Sequence, residues 1–140
     1  MPCPYFYPLG QIAWPNAPKL PLGDAYSGLC QADPALAADP DPAALTDCCN
    51  LGYARGRCAR FPADEGPDAV RFSVVHDSDN VVGIYWVREK NHRPFDHGPL
   101  EYSRGSEAFT AVGLDPALRQ QAHAYVASYL RRKTRKRRES

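Results

Sequence analysis

Val70-Arg71-Phe72-Ser73-Val74-Val75-His76 and Val81-Val82-Gly83-Ile84-Tyr85-Trp86-Val87-Arg88 decide the reading of the fold. Both runs are rich in β-branched and aromatic residues, and the joint between them, Asp77-Ser78-Asp79-Asn80, is made of strong turn formers. That pattern predicts a β-hairpin. Alternation of side chains along a strand puts Val70, Phe72 and Val74 on one face. Two strands cannot bury such a face alone, so another element must cover it.

The sequence offers that element downstream. Asp115-Pro116 combines a helix N-cap with a first-turn proline, and neither Gly nor Pro interrupts the chain from Pro116 to about residue 133. Leu118, Ala122, Tyr125, Val126, Tyr129 and Leu130 form one apolar stripe, expected to pack on the hairpin, with Gln120, Gln121 and Ser128 facing outward. A short third strand is expected near Leu100-Glu101-Tyr102-Ser103. It follows the turn-rich run Asn91-His92-Arg93-Pro94-Phe95-Asp96-His97-Gly98-Pro99.

Upstream of Val70 the texture is different. Of the 14 prolines, 11 precede residue 70, and each removes a donor and fixes φ, so residues 1–68 read as irregular and loop-rich. One short helix is expected, with Asp41 as N-cap and Pro42 as first residue, running Pro42-Ala43-Ala44-Leu45-Thr46-Asp47-Cys48-Cys49. Asn50 or Gly52 suits its left-handed exit. The chain of 140 residues therefore reads as one α+β domain over 1–130, followed by a basic tail at 131–140. Within the domain, 1–68 is a cysteine-rich, metal-binding segment and 69–130 is a hairpin, or small antiparallel sheet, with an amphipathic helix.

Charge is unevenly distributed. Residues 131–140 hold seven Lys or Arg against one Glu, while the remaining residues are net acidic. An acidic body does not suit wrapping nucleic acid, although Arg131-Arg132-Lys133-Thr134-Arg135-Lys136-Arg137-Arg138 could touch phosphates without sequence specificity. The plainer reading of the tail is a solvated chain end. No run of about 18 apolar residues occurs, and Met1-Pro2-Cys3-Pro4-Tyr5 lacks a basic stretch followed by an apolar one. No membrane span or secretory signal is expected, which points to the reducing cytoplasm, where clustered cysteines bind metal or do redox chemistry more often than they form structural disulfides.

All five cysteines, Cys3, Cys30, Cys48, Cys49 and Cys58, fall in the proline-rich half with spacing C-x26-C-x17-C-C-x8-C. Structural zinc sites usually draw ligands in pairs from C-x2-C knuckles, and there is none here. Cysteines delivered one at a time fit a larger iron-sulfur centre, whose thiolates stand further apart and whose sulfurs accept bonds from backbone N–H groups such as those near Gly28, Gly52 and Gly56. The expected ligands are Cys3, Cys30, Cys49 and Cys58 around a [4Fe-4S] cluster, with zinc as the alternative. Successive residues of an α-helix diverge by about 100°, so only one of the pair should face inward, and the segment running on from Cys49 to Pro62 makes Cys48 the spare.

Around Cys58, the arginines of Cys49-Asn50-Leu51-Gly52-Tyr53-Ala54-Arg55-Gly56-Arg57-Cys58-Ala59-Arg60-Phe61-Pro62 could offset cluster charge, and Tyr53 and Phe61 could shield it. Tyr5, Phe6, Tyr7 and Trp14 suit a lid over the centre or a small satellite core. His92 and His97 are reserve ligands, with Asp96 placed to orient His97, although an exposed loop is the simpler reading. His123 is expected at an interface. Asp64-Glu65-Gly66-Pro67-Asp68 reads as a solvated acidic loop.

The segment from Cys3-Pro4-Tyr5-Phe6-Tyr7-Pro8 through Cys58-Ala59-Arg60-Phe61-Pro62 resembles small uncharacterised bacterial proteins with a four-cysteine iron-sulfur-type pattern. The resemblance covers residues 3–62 and implies a cluster without implying a reaction; it matches no ferredoxin spacing. Motifs of hydrolase elbows, P-loops, dinucleotide folds and zinc proteases are absent, which argues against an enzyme. With four cysteine ligands no iron position stays open, so the expected role is electron transfer or redox sensing with a protein partner. The rival is a zinc-stapled module whose basic tail contacts nucleic acid or an acidic partner.

Overall fold

The computed structural model describes residues 2–12, 22, 25–32, 39–40, 44–53, 58, 61, 66–110 and 115–139. These form two antiparallel sheets and one long helix, an α+β arrangement. The expected hairpin is present as β3 (Ala69–Asp77) and β4 (Val81–Lys90), with Phe72 opposite Trp86 and Val74 opposite Ile84. Val70 and Phe72 are buried and Val74 is half-buried, as alternation requires. A register shift between Val74 and His76 leaves Val75 exposed.

Downstream, the structure departs from the expected loop. β5 spans Arg93–Ser103 and pairs with β4 along its whole length, so Asn91-His92 alone make the turn. Both residues have positive φ (52° and 62°), the backbone of the tight hairpin turn whose twist matches its strands. The two prolines that suggested a loop are accommodated by an irregularity in the ladder between Arg88 and Glu89. Pro94 opposes Glu89 and Pro99 opposes Tyr85, which puts them in the same phase. β6 (Ala108–Phe109) pairs with Tyr102 and Ser103, and among the described residues no strand pairs with β5 at Pro94 or Pro99 on that edge, where a missing N–H costs no ladder bond.

The proline-rich half is also more regular than its composition suggests. β1 (Phe6–Ile12) and β2 (Ala25–Cys30) form a second, two-stranded sheet with a register shift between Pro8 and Gly10 that absorbs the proline. The short helix expected over 42–49 is described from Ala44 onward, and Leu45–Cys49 forms a π turn rather than an α-helix. The Asn50 N–H donates to the Leu45 carbonyl at 3.3 Å, an i to i+5 bond. Of the two candidate exits, Gly52 takes the left-handed conformation at φ 78°, whereas Asn50 is right-handed at φ −82°.

The helix α1 (Pro116–Glu139) continues six residues beyond the expected stop near 133. Nothing in Thr134-Arg135-Lys136-Arg137-Arg138-Glu139 breaks a helix. Its stripe packs chiefly on β1 and also reaches β3, where Tyr125 stacks on Phe72 at 5.4 Å between ring centroids. The expectation that Gln121 and Ser128 face outward is wrong: both are fully buried. The β1–β2 hairpin, invisible among the prolines, covers that flank. Gln121 Nε2 donates to the carbonyls of Cys3 and Phe6, each at 2.7 Å, Gln120 Nε2 donates to the Pro8 carbonyl at 2.8 Å, and Ser128 Oγ pairs with Tyr26 Oη at 2.6 Å.

One apolar cluster joins the layers. It includes Phe6, Leu22 and Tyr26 from the first half, Phe72, Ile84 and Trp86 from the larger sheet, and Leu118, Ala122 and Val126 from α1, together with Cys3 and Cys49. The boundary between body and tail is blurred in the same way. Arg131 donates to Tyr26 Oη at 2.7 Å and Lys133 pairs with Asp77 at 2.5 Å, so the first cations of the basic run belong to the folded body. No helix among the described residues is long and apolar enough to cross a membrane.

Candidate metal centre

Each cysteine reaches the same place by a different local route. Cys3 precedes β1 in a tight turn, with its carbonyl accepting from Phe6 N–H at 3.1 Å and from Gln121. Cys30 ends β2 opposite Phe6, and the next residue, Gln31, donates its N–H to the Tyr5 carbonyl at 2.8 Å. Cys48 and Cys49 close the π turn. The Cys3 N–H donates to the Cys49 carbonyl at 3.1 Å, and the Gly52 N–H donates to the Cys48 carbonyl at 2.8 Å. Cys58 lies on the last of these segments, its carbonyl accepting from Phe61 N–H at 3.1 Å. These bonds come from the main chain and from the Gln121 side chain, so the cysteine backbones are not fixed by one another's side chains.

Asn50 holds the π turn against β2. Its Nδ2 donates to the Tyr26 carbonyl at 3.1 Å and to the Leu45 carbonyl at 3.0 Å, while its Oδ1 accepts from Tyr26 N–H at 3.1 Å. The side-chain amide thus pairs with a backbone segment as another peptide group would. Sequence reasoning treated Asn50 only as a helix exit. The available signal was its place directly after two cysteines, which carries no hint of a buried partner 24 residues away.

The outcome is a cavity lined by Cys3, Cys30, Cys48, Cys49 and Cys58, with Tyr5, Phe6, Ala32 and Phe61 completing the wall. It holds about 300 Å³ of atom-free space, counted together with its open mouth. No two of the five cysteines are joined in a disulfide. Among the described residues, no group of three or more His, Cys, Asp or Glu side chains is gathered as a single ion would require.

Burial pushes the Cys3 thiol up to about 12, with the neighbouring Cys30, Cys58 and Cys48 adding to the shift. The Cys49 thiol is likewise pushed up to about 12, again chiefly by burial and then by the other four cysteines. Removing several protons here would crowd negative charge into an apolar cleft, and each charge raises the cost of the next. Such thiols are poor nucleophiles at neutral pH. They suit a group that brings its own positive charge and replaces the protons. The donor set, five sulfurs with no carboxylate or imidazole among the described residues of the wall, fits thiolate-bound iron or zinc.

The expected spare and the expected shields come out differently. Cys48 and Cys49 are both buried, at 5% and 6% exposure, and both line the cavity from the π turn. Tyr5 and Phe6 line the wall, with Tyr5 edge-on to Phe61 at 5.5 Å, but Tyr7 does not, and Trp14 lies outside the described residues. Phe61 lines the cavity, whereas Tyr53 turns away and donates to Glu89 Oε1 at 2.7 Å. Arg55, Gly56, Arg57 and Arg60 lie outside the described residues. The Gly52 N–H is already used by the Cys48 carbonyl, and Gly28 packs against the β1 backbone at Tyr7 and Pro8.

The histidines do not join the thiols. His92 stacks on Tyr53 at 4.3 Å, and His97 Nδ1 pairs with Tyr85 Oη, so the expected partner Asp96 is not what orients it. Asp96 pairs instead with Arg88. His123 is exposed beside Tyr102 and Phe109. Asp68, read as part of a solvated loop, is buried and accepts from Asn91 N–H at 3.0 Å, which anchors the β4–β5 turn. Compared with family models, curated proteins and solved structures, the chain finds no match.

Proposed function

We propose that this chain is a small iron-sulfur protein of the [4Fe-4S] type, with Cys3, Cys30, Cys49 and Cys58 as ligands and a role in electron transfer or redox sensing. The observation that carries the reading is the meeting of all five cysteines, from four separate stretches of chain, on one cavity that, among the described residues, no other metal-binding side chain lines. A cluster of several irons and sulfides needs thiolates set around a volume. Tetrahedral zinc instead needs four sulfurs about 2.3 Å from one point. Thiols brought from four segments to one cavity support a centre held by several thiolates.

The bound group would supply one-electron chemistry. The residues of this chain would hold it, replace its water with Tyr5, Phe6 and Phe61, and fix its distance from the surface. Iron fully ligated by cysteine leaves no position for a substrate, which favours a carrier or sensor over a catalyst.

The test is anaerobic purification followed by visible absorbance and measurement of iron, acid-labile sulfide and zinc. About four irons and four sulfides per chain with broad absorbance near 400 nm is the expected result. Loss of that chromophore in Cys30→Ser and Cys58→Ser would follow. A colourless protein with about one zinc per chain would overturn the proposal.

A further inference from the structure

The cavity has one thiol more than a four-iron cluster uses, and the surplus lies at one place. Cys3, Cys30 and Cys58 each come from their own segment, with no second cysteine within seventeen residues on Cys3 and Cys30 and within eight on Cys58. Cys48 and Cys49 are adjacent, similarly buried, and both on the wall. We propose that these two are alternative ligands to the same iron, so that one corner of the centre can exchange its thiolate without leaving the protein. The inference rests on the iron-sulfur reading above.

Both members of the pair line the cavity from one π turn, Leu45–Cys49. The i to i+5 bond from Asn50 N–H to the Leu45 carbonyl widens the turn, and turns of this kind occur often at functional sites. The backbone under the two cysteines is pinned. Gly52 N–H holds the Cys48 carbonyl, Cys3 N–H holds the Cys49 carbonyl, and Asn50 ties the turn to Tyr26. With the backbone held, exchange proceeds by rotation of the two side chains about χ1, between staggered wells.

The chemistry balances without a further reactant. The bond from iron to Cys49 Sγ breaks and one to Cys48 Sγ forms. The proton of the incoming Cys48 thiol ends on the departing Cys49 sulfur. Charge and electron count are unchanged, so no oxidant or reductant is needed. The other corners have no such partner, and loss of Cys3, Cys30 or Cys58 is not made good from a neighbouring position.

The experiment compares Cys48→Ala, Cys49→Ala and the double variant with the wild-type protein, all purified without oxygen. Cys30→Ala serves as the reference for complete loss, and far-UV circular dichroism serves as the check on folding. Each single variant is expected to retain at least three quarters of the wild-type iron and sulfide, and the double variant to fall to the level of Cys30→Ala. The reduced wild-type protein should show electron paramagnetic resonance features of both single variants. Loss of the centre in either single variant while the fold is retained would overturn the exchange, as would a double variant that keeps its iron. If the double variant does not fold, the two single variants and the wild-type spectrum still decide. Absence of iron and sulfide from the wild-type protein is a different failure, because it removes the iron-sulfur reading itself.

Discussion

Replacing Gln121 by Ala should loosen the cysteine turn from a residue that touches no thiol. Gln121 is fully buried on α1, and its amide bonds the carbonyls of Cys3 and Phe6 across more than a hundred residues of sequence. Losing two such bonds costs about 1 kcal/mol each. Removing two buried methylene-sized groups costs about 0.8 kcal/mol each. Against this, Gln121 Oε1 is buried without a partner, and its removal returns about 1 kcal/mol. The net loss is about 2–3 kcal/mol. For 140 residues, with an unfolding entropy of about 0.3 kcal/mol/K, this lowers Tm by roughly 8 °C. Urea denaturation of the same protein should show a lower midpoint at unchanged slope. Gln121→Met keeps the volume and should fall between wild type and Gln121→Ala. A change below about 0.5 kcal/mol in Gln121→Ala would refute the claim that this amide braces the turn.

Other consequences are equally direct. Asp77 sits where β3 ends and accepts from Arg104 at 2.7 Å, Tyr129 at 2.7 Å and Lys133 at 2.5 Å, with the Lys133 and Tyr129 bonds foremost in holding its carboxyl well below the usual range. A depressed carboxylate stabilises the fold above its unfolded pKa of about 4 and loses that contribution as pH falls through the folded value. Asp77→Asn should therefore cost about 1–2 kcal/mol near neutral pH, the screened surface part discounted, and the gap should close in thermal melts below about pH 4. A gap that persisted in acid would contradict the assignment. Gly28→Ala would put a Cβ about 2.8 Å from Pro8 Cα and into the Tyr7 carbonyl. The expected loss is about 2–3 kcal/mol together with reduced metal content through displaced Cys30, and wild-type stability in this variant would count against the close approach. Deleting residues 134–140 removes Arg135, Lys136, Arg137 and Arg138 but spares the Arg131 and Lys133 contacts. If this end binds nucleic acid, the salt slope of duplex binding by fluorescence anisotropy should flatten by about 3–4, and an unchanged slope would exclude it.

The metal proposal and the fold are linked through these same residues. Gln121, Asn50 and the main-chain bonds at Cys3 hold the cavity wall open without using the thiols, so the cysteine positions are fixed by elements outside the centre. This differs from small zinc modules, in which the metal is the main source of order. A chelator should therefore strip the centre before the larger sheet melts, and far-UV circular dichroism read alongside visible absorbance would separate the two events.

Sequence alone determined the parts governed by local rules. The β3–β4 hairpin followed from β-branched and aromatic runs around a polar joint, and the start of α1 from Asp115-Pro116. The concentration of cysteines in one half, delivered singly, was also legible. Tertiary structure decided what depended on distant partners. Pro8, Pro94 and Pro99 argue against strands until register shifts and an open edge make their missing donors harmless, a fact of pairing and not of residue type. Gln121 and Ser128 look like surface residues on a helical wheel, yet a hairpin over a hundred residues upstream supplies acceptors and covers them. That Cys48 and Cys49 both line the cavity was likewise decided by the tertiary structure, since helix periodicity alone argued that only one of an adjacent pair would face inward.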